Sequence, residues 1–150
     1  RLTEVEMAPD AELLMAEMLV LGRAAMGERD IAADIADTRR IRRGGRLIFH
    51  DSQRLRLPLP GGTGGAMLGD AVALATAVCA APDAGDRLGP ARAALDAPGV
   101  EAAASAWEGK LVARLMSPSP HVLRRVLVRC LTAIGGGPLP RVWAVEECHP

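Results

Sequence analysis

The stretch that follows Gly44-Gly45 limits what this chain can fold into more than any other. From Arg46 onward the side chains alternate in character. Leu47, Phe49, Leu55, Leu57 and Leu59 fall on one side, and Arg46, His50, Ser52, Arg54 and Arg56 on the other. A period of two cannot lay one apolar stripe along a helix, and it is what a strand with one covered face requires. The glycine pair supplies a two-residue hairpin turn, so the weaker alternation of Ile31 to Ile41 reads as the antiparallel partner. Ile48 breaks the pattern, and Asp51 and Gln53 interrupt the apolar face. A bulge would turn those two polar residues outward.

Other segments read in the same terms. Leu2, Glu4 and Glu6 alternate with Thr3, Val5 and Met7 before a Pro9-Asp10 turn. Glu12 to Leu21 carries apolar residues on both faces, which favours a strand covered on both sides over a helix, and Asp70 to Ala80 has the same character. Pro58 to Gly65 is a Gly/Pro-rich connector. Asp86 is expected to cap a helix reaching Leu95, with Leu88, Ala91 and Leu95 on one side. Gly99 to Ala104 and Trp107 to Met116 are expected strands. Ser117-Pro118-Ser119-Pro120 opens a second helix with a capping serine and a proline in its first turn. Leu123, Leu127, Cys130 or Leu131, and Ile134 form its buried stripe, and Arg124, Arg125 and Arg129 lie outside it. Gly135 to Gly137 stops it, and Leu139 to Val145 is expected to be extended. The order of elements predicts a β-rich α+β fold.

Composition narrows the function classes. Aromatic residues make up only 2% of a chain that is 49% hydrophobic, so the core must be built from Leu, Val, Ile, Met and many Ala in thin, closely packed layers. Eighteen basic residues balance 18 acidic ones, which argues against a nucleic-acid binder, since phosphate neutralisation leaves a basic excess. Cys79, Cys130 and Cys148 form neither a disulfide framework nor a zinc spacing, which points to a reducing cytoplasm. No apolar run approaches the ~20 residues of a membrane span.

Few residues suggest chemistry. Gly61-Gly62-Thr63-Gly64-Gly65 lacks the Lys-Ser/Thr ending of a phosphate loop and reads as a flexible connector. Cys148-His149 is the only close Cys/His pair, and adjacent residues on an extended tail point apart. Arg39, Arg40, Arg42, Arg43 and Arg46 make a basic hairpin tip, either a solvated turn that discourages edge pairing or a contact for an acidic partner. Glu17 and Asp51 sit on apolar faces of expected strands, where an unpaired carboxylate is costly. Each is either half of a structural ion pair, with Arg23 or another arginine, or a carboxylate lining a wet internal passage that holds a cation transiently.

Four segments, in order, resemble the urease accessory protein family UreD, also called UreH. They are Glu17 to Glu28, with its Gly22-Arg23 and Gly27-Glu28 pairs; Arg43 to Asp51; Ala104 to Leu115; and Pro140-Arg141-Val142-Trp143. The match reaches about the C-terminal half of the family's length. On that basis residues 1–150 are expected to be a single UreD-like domain, truncated at its N-terminus relative to the family. The resemblance implies mostly antiparallel strands with two helices packed on one side. It also implies a cytoplasmic metallochaperone scaffold that is not an enzyme and does not act on nucleic acid or membrane. Such a scaffold binds UreF, through it UreG, and apo-urease, so that nickel reaches the buried active site. Nickel is then in transit and no cofactor is permanently held. On that analogy Glu17 and Asp51 become candidates for lining the nickel passage, with Arg23, Glu28, Arg40 and Arg42 as structural or partner-contact residues. The competing reading is a small α+β ligand-binding or enzymatic domain built around Asp70 to Ile134.

Overall fold

A computed structural model describes residues 1–22, 32–57 and 68–143. The chain divides into two compact units, one of Arg1–Glu12 with Gly22–Met67 and the other of Leu13–Leu21 with Leu68–Pro150. As expected, the architecture of the described residues is a β-rich α+β one, with mostly antiparallel strand pairs and two helices.

The first unit holds a three-stranded sheet in the order β1-β3-β4, with β1 at Leu2–Met7, β3 at Ala33–Arg43 and β4 at Arg46–Leu57. The β3–β4 hairpin turns on Gly44 and Gly45, whose φ values of 55° and 77° are the left-handed pair that a two-residue turn requires. Arg43 lies opposite Arg46 and Arg42 opposite Leu47, and the register then shifts so that Ile41 faces Phe49. Ile48 is therefore the extra residue of a β-bulge. That bulge has a different effect from the one expected. It turns Leu47 outward, to 43% exposure, and keeps Asp51 in the buried row with Phe49. Without it Arg39 would stand opposite His50. With it Arg39 stands opposite Asp51. β1 joins the other edge of β3 in parallel, and its Val5 and Met7 add to the covered face.

The second unit is an antiparallel four-stranded sheet in the order β2-β5-β7-β6: β2 Leu13–Val20, β5 Ala73–Ala80, β7 Lys110–Ser117 and β6 Glu101–Trp107. Helices α1 (Leu88–Leu95) and α2 (Pro120–Gly135) pack on one face of it. The register carries three rows across that face: Leu14, Cys79, Leu111 and Ala106; Ala16, Ala77, Ala113 and Ala104; and Met18, Ala75, Leu115 and Ala102. The middle row is alanine on all four strands, so the helical layer can approach closely. This is the thin packing that a chain poor in aromatics needs. Leu123, Val126, Leu127, Cys130, Leu131 and Ile134 of α2 fill the space above it.

α2 begins as the sequence suggests. Ser119 Oγ accepts the Val122 N–H at 3.3 Å, Pro120 occupies the first turn, and Gly136 ends the helix with φ 64°. α1 does not start on Asp86. Residues 81 to 88 pass through consecutive turns, and Arg87 stands at the N-cap with no side-chain capping bond. The Arg87 guanidinium instead donates to the Ile134 carbonyl at 2.8 Å and pairs with Asp83 at 2.6 Å. Arg129 of α2 reciprocates by donating to the Ala94 carbonyl, so each helix has its C-terminal carbonyls satisfied by an arginine associated with the other. The expected strand from Trp107 to Met116 is interrupted. Trp107 ends β6, Glu108 takes a φ of 47°, and β7 starts at Lys110. Arg141–Trp143 is a single 3-10 turn where an extended segment was expected.

An ion-pair core and the candidate carboxylates

Alternation along β3 points Asp37, Arg39 and Ile41 to the same buried face, and β4 supplies Phe49, Asp51 and Gln53 opposite them. Three of these residues carry charge and are at most 9% exposed: Asp37, Arg39 and Asp51. Arg39 bridges the carboxylates. Its Nη1 donates to Asp51 Oδ2 at 3.0 Å and its Nη2 to Asp37 Oδ2. Gln53 Nε2 donates to the same Asp51 oxygen at 3.0 Å, and Arg1 grips both oxygens of Asp37 at 3.0 and 2.6 Å. The Arg1 hydrogen bonds hold the Asp37 carboxyl below its ordinary range. Burial opposes that shift, and the Arg39 charge reinforces it.

Asp37, which sequence reasoning did not single out, is thus the partner that completes the cluster. The signal for it was local, since Asp37 stands two residues before Arg39 on one strand and so shares its face, whereas Asp51 reaches Arg39 only through the bulge at Ile48. Asp51 takes part in an ion pair of the kind that one of its two sequence readings described, and its partner is Arg39.

Glu17 belongs to the second unit. It is half-buried on β2, on the sheet face away from the helices, and the register aligns it with Thr76 and then Arg114. Adjacent strands are ~4.8 Å apart, so Glu17 and Arg114 lie about 10 Å apart across Thr76, within reach of two long side chains. Glu17 and Asp51 therefore sit in separate units. Arg23 and Glu28 lie outside the described residues. Arg40 pairs with Glu4 at 3.3 Å between two well-exposed side chains, and Arg42 donates to the Gly45 carbonyl at 3.2 Å, bracing the hairpin turn. Among the described residues, no group of three or more His, Cys, Asp or Glu is placed to hold a metal ion. Also among them, no helix is long and apolar enough to cross a membrane.

One unit is an antiparallel sheet backed by two helices, and the other is a sheet with an ionic core. Comparison with known proteins assigns the chain to a family. The family model for the UreD urease accessory protein matches residues 1–144, so the chain belongs to that family. It is 48% identical to a urease accessory protein UreD of Cereibacter sphaeroides over 144 residues, covering 95% of this chain and 52% of the relative. It is 44% identical to the UreD of Paracoccus denitrificans over 151 residues, covering 97% and 52%. It is 49% identical to a UreD 2 of Methylorubrum populi over 147 residues, covering 93% and 48%. The chain spans about half the length of these curated relatives.

Proposed function

We propose that this chain acts as part of a scaffold, with no chemistry of its own, that serves nickel insertion into apo-urease in the cytoplasm. Membership of the UreD family over residues 1–144 carries this reading, because the relatives are named as urease accessory proteins. In it the protein binds UreF, through UreF the GTPase UreG, and docks the assembly on apo-urease. Nickel is cargo, and Glu17 and Asp51 are the carboxylates that would hold it in passing. The two differ as candidates. A cation at Asp51 must displace a guanidinium already hydrogen-bonded there, at the cost of leaving Arg39 short of a partner. Glu17, on a half-buried strand face, is the cleaner first test.

The experiment uses the full-length protein that carries this chain, produced in a host with UreF, UreG and urease. Co-purification with UreF and nickel-loaded, active urease are expected. Glu17→Gln should retain UreF while lowering the nickel content of urease. A full-length protein that is indifferent to UreF, in a host whose urease loads nickel equally well without it, would overturn the reading.

A further inference from the structure

Charge is arranged differently on α2 than in the first unit. There, Arg39 lies between Asp37 and Asp51, Arg40 meets Glu4, and Arg54 meets Asp34. The sequence of α2, Pro-His-Val-Leu-Arg-Arg-Val-Leu-Val-Arg-Cys-Leu-Thr-Ala-Ile-Gly, contains no acidic residue. His121, Arg125 and Arg129 are exposed and recur at every fourth position, so they line one ridge about 12 Å long at ~1.5 Å per residue. Neither Arg125 nor Arg129 has a carboxylate at ion-pair distance among the described residues. The Arg129 guanidinium is fixed by the Ala94 and Asp96 carbonyls, which orient it without neutralising its charge. Beside the ridge, Arg124 lies over the Trp143 ring at 5.6 Å and donates to the Val142 carbonyl. That arrangement presents the Val142 side chain at 69% exposure.

We infer that this ridge docks an acidic helical segment of a partner protein, with Asp or Glu recurring about once per turn and an apolar residue meeting Val142. Helix ridges spaced at i, i+4 fit the grooves of a second helix, and a guanidinium held in place, as that of Arg129 is, loses little freedom on pairing. The apolar knob and the balanced charge of the whole chain favour protein over nucleic acid, which a broader basic surface would serve. This inference does not rest on the nickel-delivery reading.

Its test is fluorescence-polarisation binding of the full chain to a synthetic helix carrying Glu at i, i+4 and i+8. A scrambled peptide of the same composition, a duplex DNA and anionic phosphatidylserine vesicles serve as competitors. The patterned peptide should bind in preference to all three, and affinity should fall about tenfold as salt rises past the point where the Debye length drops below ~10 Å. Arg125→Glu removes no hydrogen bond or ion pair among the described residues and should weaken binding at least about tenfold, whereas Arg125→Lys should keep most of it. Tryptophan fluorescence checks that each variant is folded. Equal binding of patterned and scrambled peptides, indifference to Arg125→Glu, or tighter binding to DNA or vesicles would each sink the proposal. A failure of urease activation with the peptide result intact would count against nickel delivery alone.

Discussion

On the covered face of the first unit's sheet, Asp37, Arg39, Asp51 and Gln53 stand where the second unit's helix-facing rows place Ala75, Ala77, Cys79 and Leu111. Both sets are buried, apart from the half-buried Gln53, yet different physics holds them. The apolar rows gain by removing apolar surface from water and by close contact, so each side chain contributes a little and neighbours compensate. The ionic row gains only when every charge finds its partner. A carboxylate or guanidinium left alone there keeps its desolvation cost with nothing to offset it. The first unit should therefore respond steeply to loss of a charge and the second to a change of volume.

The largest expected effect follows from breaking the ionic row at its centre. Arg39→Met leaves Asp37 and Asp51 buried without the group that joins them, and should cost about 3–5 kcal/mol. Hydrogen exchange can assign the loss: protection of β3 and β4 amides should fall, and that of β5 and β7 should hold. Replacing Asp37, Arg39 and Asp51 together with apolar residues of similar volume should recover most of the stability. A cost under about 1 kcal/mol for Arg39→Met would mean that the row behaves as an exposed ion pair.

Titration separates the same two regions at opposite ends of the pH scale. Asp37 has a lowered carboxyl pKa in the folded state, so its contribution is present above the unfolded value of about 3.9 and disappears as pH falls through the lower folded value. Acid should loosen the first unit. In α2, burial pushes the Cys130 thiol up from 9.0 to about 11. The unfolded chain then ionises first, and stability should fall between pH 9 and about 11, by no more than about 3 kcal/mol at ~1.4 kcal/mol per unit. Both tryptophans, Trp107 and Trp143, lie in the second unit, so tryptophan-detected urea unfolding reports this alkaline loss directly. Cys130→Ala should lower the plateau and flatten the alkaline fall. An undiminished fall in that variant would assign it to another group.

The contrast between the regions also explains what could be read from sequence. Strands whose faces differ in polarity, such as β4, declare themselves by alternation, and α2 declares itself by a capping serine, a proline and an apolar stripe. Ile48 stood out as an exception, but a single misfit does not say which way a bulge turns its neighbours. The pairing of Arg39 with Asp51 depends on that one residue of register, whereas Asp37 meets Arg39 along the same strand. Asp86 looked like a helix cap because it precedes an apolar run. The Ile134 carbonyl and Asp83 hold Arg87 at the cap position instead, and those are contacts formed after the chain has folded. The turn at Glu108 was obscured for a local reason, since glutamate rarely adopts a positive φ. Glu17 could be placed on a strand. Its cross-strand row with Thr76 and Arg114 needed the sheet order, which no local pattern encodes.

The smallest expected effect sharpens the other half of the comparison. Ala77 is fully buried in the middle of the alanine row, with Ala16 and Ala113 on its flanks and α2 above it. If volume is what this region is sensitive to, adding carbon there should hurt even though it adds hydrophobic surface. Ala77→Val, which also raises strand propensity, should still destabilise, toward the low end of the ~1–3 kcal/mol typical of overpacking. The tryptophan signal would carry the change, and β3 and β4 protection would not. A neutral or stabilising Ala77→Val would show that the helical layer can move away from the sheet, and that the alanine row is less tightly packed than its burial indicates. The substitution Ser52→Val, at an exposed β4 position whose hydroxyl lies 3.2 Å from that of Thr38, supplies the control for strand propensity without packing.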